Sequence, residues 1–394
     1  MEIGEHYIVK ITDNDINGNG IARIENFVIF ILHALKDEEL EIEITNINKR
    51  YANAKIIKFI KKSNKRCDVA CKSYSKCGGC AFLHVNKDIE NEIKLDDINK
   101  LFNKNIKEIL TNNEFNYRNK ATFHIKNNTI GYYSEKTHDI VQFDDCLILD
   151  NRINEIYKYF KKSSLNNIDN IIVRVTTNEI MVIINGNLKE FNYKELVEKY
   201  NINSLYLNDK LIYGNAYILE IFNNLKYTIY PNAFFQVNYD NMKILYDKVR
   251  EYAGKGNKLI DLYCGTGTIS LYLSDNFKNV LGIEINKEAI LNANINKKLN
   301  NITNVEYICG DASILKKDNY DVIVLDPPRS GLSTKLIDKI NDIEPTKIVY
   351  VSCNYKTLKR DIDLLNKYNL TKIECVNMFS KTKHIEVICL LEKI

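Results

Sequence analysis

The sequence predicts an α/β protein in three parts: a small N-terminal β-barrel of the oligonucleotide-binding kind, a central α+β domain carrying a cysteine cluster, and a C-terminal Rossmann-like sheet. Three observations carry this. Five short strand-like runs with a Gly-rich turn fill the first 60 residues, four cysteines fall between Cys67 and Cys80, and from about residue 238 strands and helices alternate regularly. The 394 residues exceed one ordinary domain, and the expected divisions are 1–60, 61–230 and 231–394.

In the first part, Glu5–Thr12 alternates apolar and polar residues, Ile16-Asn-Gly-Asn-Gly20 is a turn, and Ile21–Ile24, Phe27–Leu32, Leu40–Ile47 and Ala54–Phe59 follow as strands. The cysteine-rich knot (67–80) leads into a helix near Asn86–Phe102. Strands then dominate to about 230 (His124–Tyr133, Ile171–Val175, Ile180–Asn185, Tyr227–Tyr230), with one helix near Asn151–Tyr159. Beyond that, helix Asn238–Tyr252 precedes the strands Lys258–Leu262, Val280–Ile285, Val305–Ile308, Val322–Leu325 and Lys347–Val351. Helices Thr268–Leu273, Lys287–Asn300, Thr334–Asn341 and Lys356–Leu365 separate most of them. Repeated strand–helix units imply a parallel sheet. The last two strands, Lys372–Met378 and Ile385–Leu391, have no helix between them and must join as an antiparallel edge hairpin.

Composition narrows the class. Apolar residues make up 45% and charged residues 27%, ordinary for a soluble globular chain. No run of about eighteen apolar residues and no signal-peptide pattern occurs, so a cytoplasmic protein without membrane attachment is expected. Ten cysteines in a reducing compartment argue for metal binding or catalysis rather than a disulfide framework. The net charge is only +4, but Lys49 to Arg66 holds eight Lys or Arg and no acid, a patch suited to phosphate backbones or an ordinary solvated strand edge. Nothing calls for an oligomer or an obligate protein partner, and a monomer is expected.

Leu259-Ile-Asp-Leu-Tyr-Cys-Gly-Thr-Gly-Thr-Ile-Ser270 reads as strand, tight turn and helix. Gly265 and Gly267 let the backbone approach a ligand, and Glu284, nineteen residues after Gly265, ends the next strand where a carboxylate meets ribose hydroxyls. Asp311 follows the third strand, placed for an adenine amino group. NAD would use the same geometry, but Ser270 stands where a dinucleotide fingerprint has its third glycine, and S-adenosylmethionine fits better.

In open α/β sheets, ligands bind beyond the carboxyl ends of the strands. Asp326 and Cys353 end the fourth and fifth strands and so should border one crevice. Two of the four prolines stiffen the Asp326-Pro-Pro-Arg329 turn. A thiol beside an adenosylmethionine site has one use that an amino-group methylation does not need. Carbon 5 of a pyrimidine is a poor nucleophile until a thiolate adds to carbon 6, and a base must then remove the carbon 5 proton. Cys353, at a strand-to-helix turn where amides stabilise a thiolate, suits the first step, and Glu386 in Lys383-His-Ile-Glu-Val-Ile388 suits the second. Taken singly, a cysteine ending a strand is more often a small buried hydrophobe, as expected for Cys264, Cys309, Cys375 and Cys389, and Glu386 would ordinarily face solvent.

With these motifs in hand, the sequence resembles the bacterial RNA uracil-5-methyltransferases, closest to the 23S ribosomal RNA members. Asn232-Ala-Phe-Phe-Gln-Val-Asn238, DLYCGTGTIS, Asp-Pro-Pro-Arg, Val351-Ser-Cys-Asn354 and Met378-Phe-Ser-Lys-Thr-Lys-His-Ile-Glu386 fall in the family's order over nearly the whole chain. The resemblance implies a class I methyltransferase sheet, Cys353 as nucleophile and Glu386 as proton acceptor. It also implies that Gln236, Tyr263, Gly265, Glu284, Asp311 and Asp326 lie at or near the adenosylmethionine site. The barrel resembles a TRAM domain, whose usual Leu-Pro-Gly-Glu turn here reads Leu35-Lys-Asp-Glu38, and the family's Ser-Cys-Asn-Pro reads Ser352-Cys-Asn-Tyr355. Both departures put turn shapes in question.

Spacing alone lets Cys67, Cys71, Cys77 and Cys80 form a zinc site. The resemblance points instead to a [4Fe–4S] cluster on Cys71, Cys77, Cys80 and the distant Cys146, with Cys67 spare. Tyr117, Arg118 and Lys120 group an aromatic with two cations, suited to a base and its phosphates. The expected function is therefore 5-methyluridine formation in 23S ribosomal RNA. Transfer RNA is the alternative substrate, against which the barrel and cysteine cluster speak. A non-catalytic RNA-binding assembly factor, and a zinc module fused to an NAD-type domain, are the readings from other classes.

Overall fold

The computed structural model of the protein describes residues 1–134, 137–188 and 190–394. Its backbone divides into two compact units. The first comprises Met1–Ile109 with Ser134–Thr137 and Phe379–His384, and the second comprises the remainder.

In the first unit, six strands form a curled sheet: His6–Lys10, Asp13–Asn14, Asn19–Ile24, Phe27–Leu32, Glu39–Ile47 and Tyr51–Lys61. Glu39–Ile47 shows why it curls. Leu40, Ile42 and Ile44 point into a core with Val9, Ile11, Ala22, Ile29 and Ile31, while Glu39, Glu41 and Glu43 alternate outwards. A parallel pairing of Phe27–Leu32 with Tyr51–Lys61 brings the chain back on itself. The Leu35–Glu38 turn closes without its usual proline and glycine. Asp37 takes φ +70°, an Asx-tolerated left-handed conformation, and buried Glu38 accepts from the Leu35 amide at 2.8 Å. Arg66 grips the same carboxylate at 2.6 and 2.7 Å, so one of the eight clustered cations is committed to structure.

Helix Lys87–Phe102 begins at Asn86, whose side chain accepts from the Ile89 amide. Its buried Glu90 holds Lys94 at 2.7 Å and accepts from the Lys381 amide at 2.9 Å. Lys381, at φ +65°, also accepts on its carbonyl from the amides of Ala81 and Phe82. The segment Phe379–His384 is thereby anchored within the first unit.

The second unit contains two principal sheets. The central sheet runs in the order Ile140–Val141, Thr129–Tyr133, Lys120–Lys126, Ile168–Val175, Ile180–Gly186, Ser204–Leu207, Lys210–Gly214. One face buries Phe123, Ile171, Val173, Val182 and Ile184 against Ile153, Ile156, Tyr157 and Phe160 of helix Asn151–Lys161. The C-terminal sheet orders seven of its eight strands Val305–Cys309, Phe277–Glu284, Gly256–Leu262, Val322–Leu325, Lys347–Ser352, Glu386–Lys393, Tyr368–Val376. The first five are parallel and the last two antiparallel, as the missing crossover helix requires. No helix among the described residues is long and apolar enough to cross a membrane.

Candidate active site

Sheet register brings the acid, the thiol and the glutamate to one edge. Leu325 pairs in parallel with Tyr350, so Asp326 leaves its strand at the carboxyl end, beside the strand that delivers Cys353. Ser352 pairs antiparallel with Val387, so Cys353 and Glu386 are the next facing positions on neighbouring strands. The reversed hairpin thus returns Glu386 to the end of the sheet where a parallel crossover would have placed a strand start out of reach. Because strands flank Glu386–Lys393 on both sides, Glu386 is buried at 6% exposure rather than facing solvent.

The turn holding the thiol is tied down without the usual proline. Asn354 caps helix Tyr355–Leu364 by accepting from the Lys356 amide, and its Nδ2 donates to the Arg329 carbonyl at 3.0 Å. Thr357 Oγ1 donates to that carbonyl at 3.2 Å. Arg329, which no sequence argument assigned a role, is the cation that acts on this cluster among the described residues. It lowers the proton affinity of both Cys353 and Glu386. Its signal was its place in Asp326-Pro-Pro-Arg329, a turn whose strand end faces the thiol.

The protonation equilibria differ from the sequence expectation of a stabilised thiolate. Desolvation, then Glu386 and Asp326, push the Cys353 thiol up, with only Arg329 opposing. Desolvation and Asp326 push Glu386 well above the usual carboxylate range. Asp326 keeps part of its surface open, yet desolvation pushes it up to about 7. An acid-rich, desolvated cleft outweighs the first amides of a helix.

The glycine turn lies at the same end of the sheet. Gly267 (φ +80°) precedes a helix of five residues, and a Cβ there would stand 2.2 Å from the Tyr307 hydroxyl. Gly265 (φ +53°) differs: nothing lies within 4 Å of a Cβ built on it, so its missing side chain opens space. Tyr263 takes φ +66°, a conformation rare for a bulky residue and typical of constrained sites. Glu284 accepts from the Gly265 amide at 3.2 Å and the Asn286 amide at 2.8 Å. Asp311 is exposed, and its carboxylate, held below its usual range, accepts from Ser313 N at 2.8 Å. Gln236 is buried, with its carbonyl accepting from Asn119 Nδ2 at 3.1 Å. A cavity of about 620 Å³ is lined by Gly265, Glu284, Asn286 and Phe234, and extends to Ile183 and Tyr206 of the central sheet. It does not reach Cys353, Asp326 or Glu386, which strand register brings together instead.

Asp261, in the apolar run before the glycines, is a second acid that sequence reading passed over. It is fully buried, and Ser270 donates to Oδ2 at 2.6 Å while Oδ1 lacks a partner. Desolvation pushes it up to about 7 from an ordinary 3.8. A raised folded-state pKa contributes stability that is complete below about 4 and lost as pH rises through 7. Thermal unfolding of ligand-free protein should therefore show a stability loss on the order of a few kcal/mol from this group across that window, and Asp261→Asn should remove that share while leaving those of Asp326 and Glu386.

The cysteine loop is held by ring and hydrogen-bond contacts of its own. Tyr74, which lies between Cys71 and Cys77 in the sequence, has its ring 4.0 Å from that of His33 and its hydroxyl donating to the Ala81 carbonyl at 2.7 Å. Among the described residues, no three His, Cys, Asp or Glu side chains stand where they could hold a metal ion, so neither the [4Fe–4S] set Cys71, Cys77, Cys80 and Cys146 nor a zinc site is supported. Close spacing fixes that thiols share a loop, not that they converge. Cys264, Cys375 and Cys389 are buried as expected, whereas Cys309 is exposed at the end of its strand.

Comparison with known proteins agrees with this architecture. The family model for tRNA (Uracil-5-)-methyltransferase matches residues 207–313 and 311–394, and that for the TRAM domain matches residues 1–57. A Clostridium tetani protein described as an uncharacterized RNA methyltransferase is 34% identical over 98% of this chain and 96% of its own. A similarly described protein of Caldanaerobacter subterraneus is 35% identical over 100% and 99%. The crystal structure of Pyrococcus abyssi tRNA (uracil-54, C5)-methyltransferase with S-adenosyl-L-homocysteine superposes with a TM-score of 0.82 at 26% identity, covering 97% of this chain and 99% of that one.

Proposed function

The chain belongs to the RNA uracil-5-methyltransferase family, and we propose that it methylates carbon 5 of a uridine in 23S ribosomal RNA through a covalent adduct on Cys353. The observation that carries the reading is the strand register that faces Cys353 with Glu386, beside Asp326 and Arg329.

The Cys353 thiolate adds to carbon 6 of the uracil, and the ring's electrons collect as an enolate. Bound S-adenosylmethionine would supply the electrophilic methyl group to carbon 5, its methyl–sulfur bond breaking so that S-adenosylhomocysteine leaves with the electron pair. Glu386 then accepts the carbon 5 proton, and the thiolate leaves carbon 6 with its electron pair, restoring the aromatic ring and the enzyme. Arg329 stabilises the anionic forms of Cys353 and Glu386 in a site that otherwise disfavours them. Open space at Gly265 and the Glu284 carboxylate on the same cavity fit the cofactor, and the family resemblance adds Tyr263, Asp311, Gln236 and Asp326, none of which lines that cavity. The TRAM-type barrel binds RNA, and Arg118 and Lys120 are proposed contacts, whereas Tyr117 is buried at 5% exposure. Electrons balance without a redox centre, so no cluster enters the reaction.

Assignment to 23S RNA rests on the motifs that resemble the ribosomal members. One observation favours transfer RNA: the Pyrococcus enzyme, which acts on tRNA, matches this chain through the barrel and central sheet, so these parts do not separate the two substrates. Transfer of labelled methyl groups to unmodified 23S and tRNA transcripts, followed by mapping of 5-methyluridine, decides it. Label in 23S alone supports the proposal, and label in tRNA alone replaces its substrate.

A further inference from the structure

The central sheet has a second face, turned away from its helix-covered core. Lys120, Thr122 and His124 alternate onto it, while Ala121 and Phe123 point into the core. Register sets Arg174 opposite Lys120 and Asn170 opposite His124 on the neighbouring strand. On the other side, His124 stacks on Tyr133 with ring centroids 4.1 Å apart and planes 17° apart, and His138 meets the Tyr133 edge at 4.9 Å. Tyr133 is 39% exposed and His138 is also exposed, so this aromatic platform is open to solvent.

Charge on the face has one sign where it is densest. Arg174 is only 4% exposed and donates to the Ala233 carbonyl at 2.7 Å, within the loop leading to Gln236. Among the described residues, neither Arg174 nor Lys120 has a carboxylate at ion-pair distance. Desolvation, Arg174 and Arg118 together hold the Lys120 ammonium down to about 8. Buried cations without counter-ions are costly, and an arriving polyanion relieves that cost. A protein surface would need matching carboxylates, whereas an RNA strand brings phosphates and stackable bases together.

We infer that this face is a track for the unpaired RNA strand flanking the target uridine: Lys120, backed by Arg174, takes a backbone phosphate, and the His124–Tyr133 stack takes a base further along the strand. Lys120 and His124 are four residues apart on one strand, roughly 13 Å, the span of a short run of nucleotides. The inference rests on the RNA-methylating function proposed above, and it concerns binding rather than the covalent chemistry.

The test compares two RNAs, a minimal stem-loop containing the target and the same stem-loop with its natural single-stranded flanks, by fluorescence anisotropy and by methyl transfer. Wild-type protein is expected to bind the flanked RNA about tenfold tighter. Tyr133→Ala and His124→Ala should erase that advantage yet leave binding of the trimmed RNA and its saturated turnover unchanged, and Tyr133→Phe should restore it. Lys120→Gln should lower the salt slope for flanked RNA by about one. No flank preference in the wild type, a preference that survives both alanine variants, or equal losses on trimmed RNA would each overturn the track. The failures are distinguishable: methyl transfer to neither RNA with a Tyr133-dependent flank preference intact would sink the proposed reaction and leave the track standing.

Discussion

Replacing Cys353 by alanine should reduce methyl transfer by about 10⁴–10⁶-fold, the loss that removing a covalent nucleophile causes where it has been separated from binding. Carbon 5 of uracil gains its nucleophilicity only from the addition at carbon 6, so neither a water nor another side chain substitutes. RNA binding and folding should survive. The thiol is only partly buried, and its turn is held by Asn354 and Thr357 rather than by the sulfur. Parallel measurement of affinity and single-turnover rate separates the two effects. Unchanged turnover would remove Cys353 from the mechanism.

Glu386→Gln should act at a different step. Addition and methyl transfer remain possible, but the carbon 5 proton stays, and elimination of the thiol stalls. Turnover should fall by about 10²–10⁴-fold while a methylated protein–RNA adduct accumulates on ordinary, unsubstituted RNA. The pH profile carries the same signature. The base must be ionised to accept a proton and the thiol must be ionised to add. Burial and neighbouring acid raise both groups, so activity should climb with pH and be lost as pH falls. In Glu386→Gln the glutamate ionisation should vanish from the profile, leaving that of the thiol. A variant that loses activity without accumulating adduct would assign proton removal elsewhere.

Local patterning made most of the C-terminal sheet legible. The five parallel strands and their helices were readable from alternating apolar runs, and the final antiparallel pair followed from the missing crossover helix. The burial of Glu386 was not readable. Glu386–Lys393 becomes a flanked strand only through pairings with Lys347–Ser352 and Tyr368–Val376, which local periodicity does not encode. Helix Lys194–Tyr200 and strand Lys210–Gly214 were missed for a related reason: both are short, and tertiary packing defines them more than propensity does. In the site, motif order pointed to Cys353 and Glu386 and held Arg329 within Asp326-Pro-Pro-Arg329, but the electrostatic roles of Arg329 and Asp261 emerge only when their neighbours are known. The cysteine loop is the opposite case. Its spacing suggested a metal centre, and the contacts the structure shows there are those of Tyr74 with His33, His84 and the Ala81 carbonyl.

The central claim is the Cys353–uracil adduct, and RNA carrying 5-fluorouridine tests it most directly, because fluorine at carbon 5 cannot leave as a proton. Protein incubated with this RNA and S-adenosylmethionine should give a denaturant-stable complex. Digestion and mass spectrometry should then place the nucleotide on Cys353, with the methyl group already transferred. A stable complex mapped to another residue, or none formed by folded protein that methylates the unsubstituted RNA, would contradict the account.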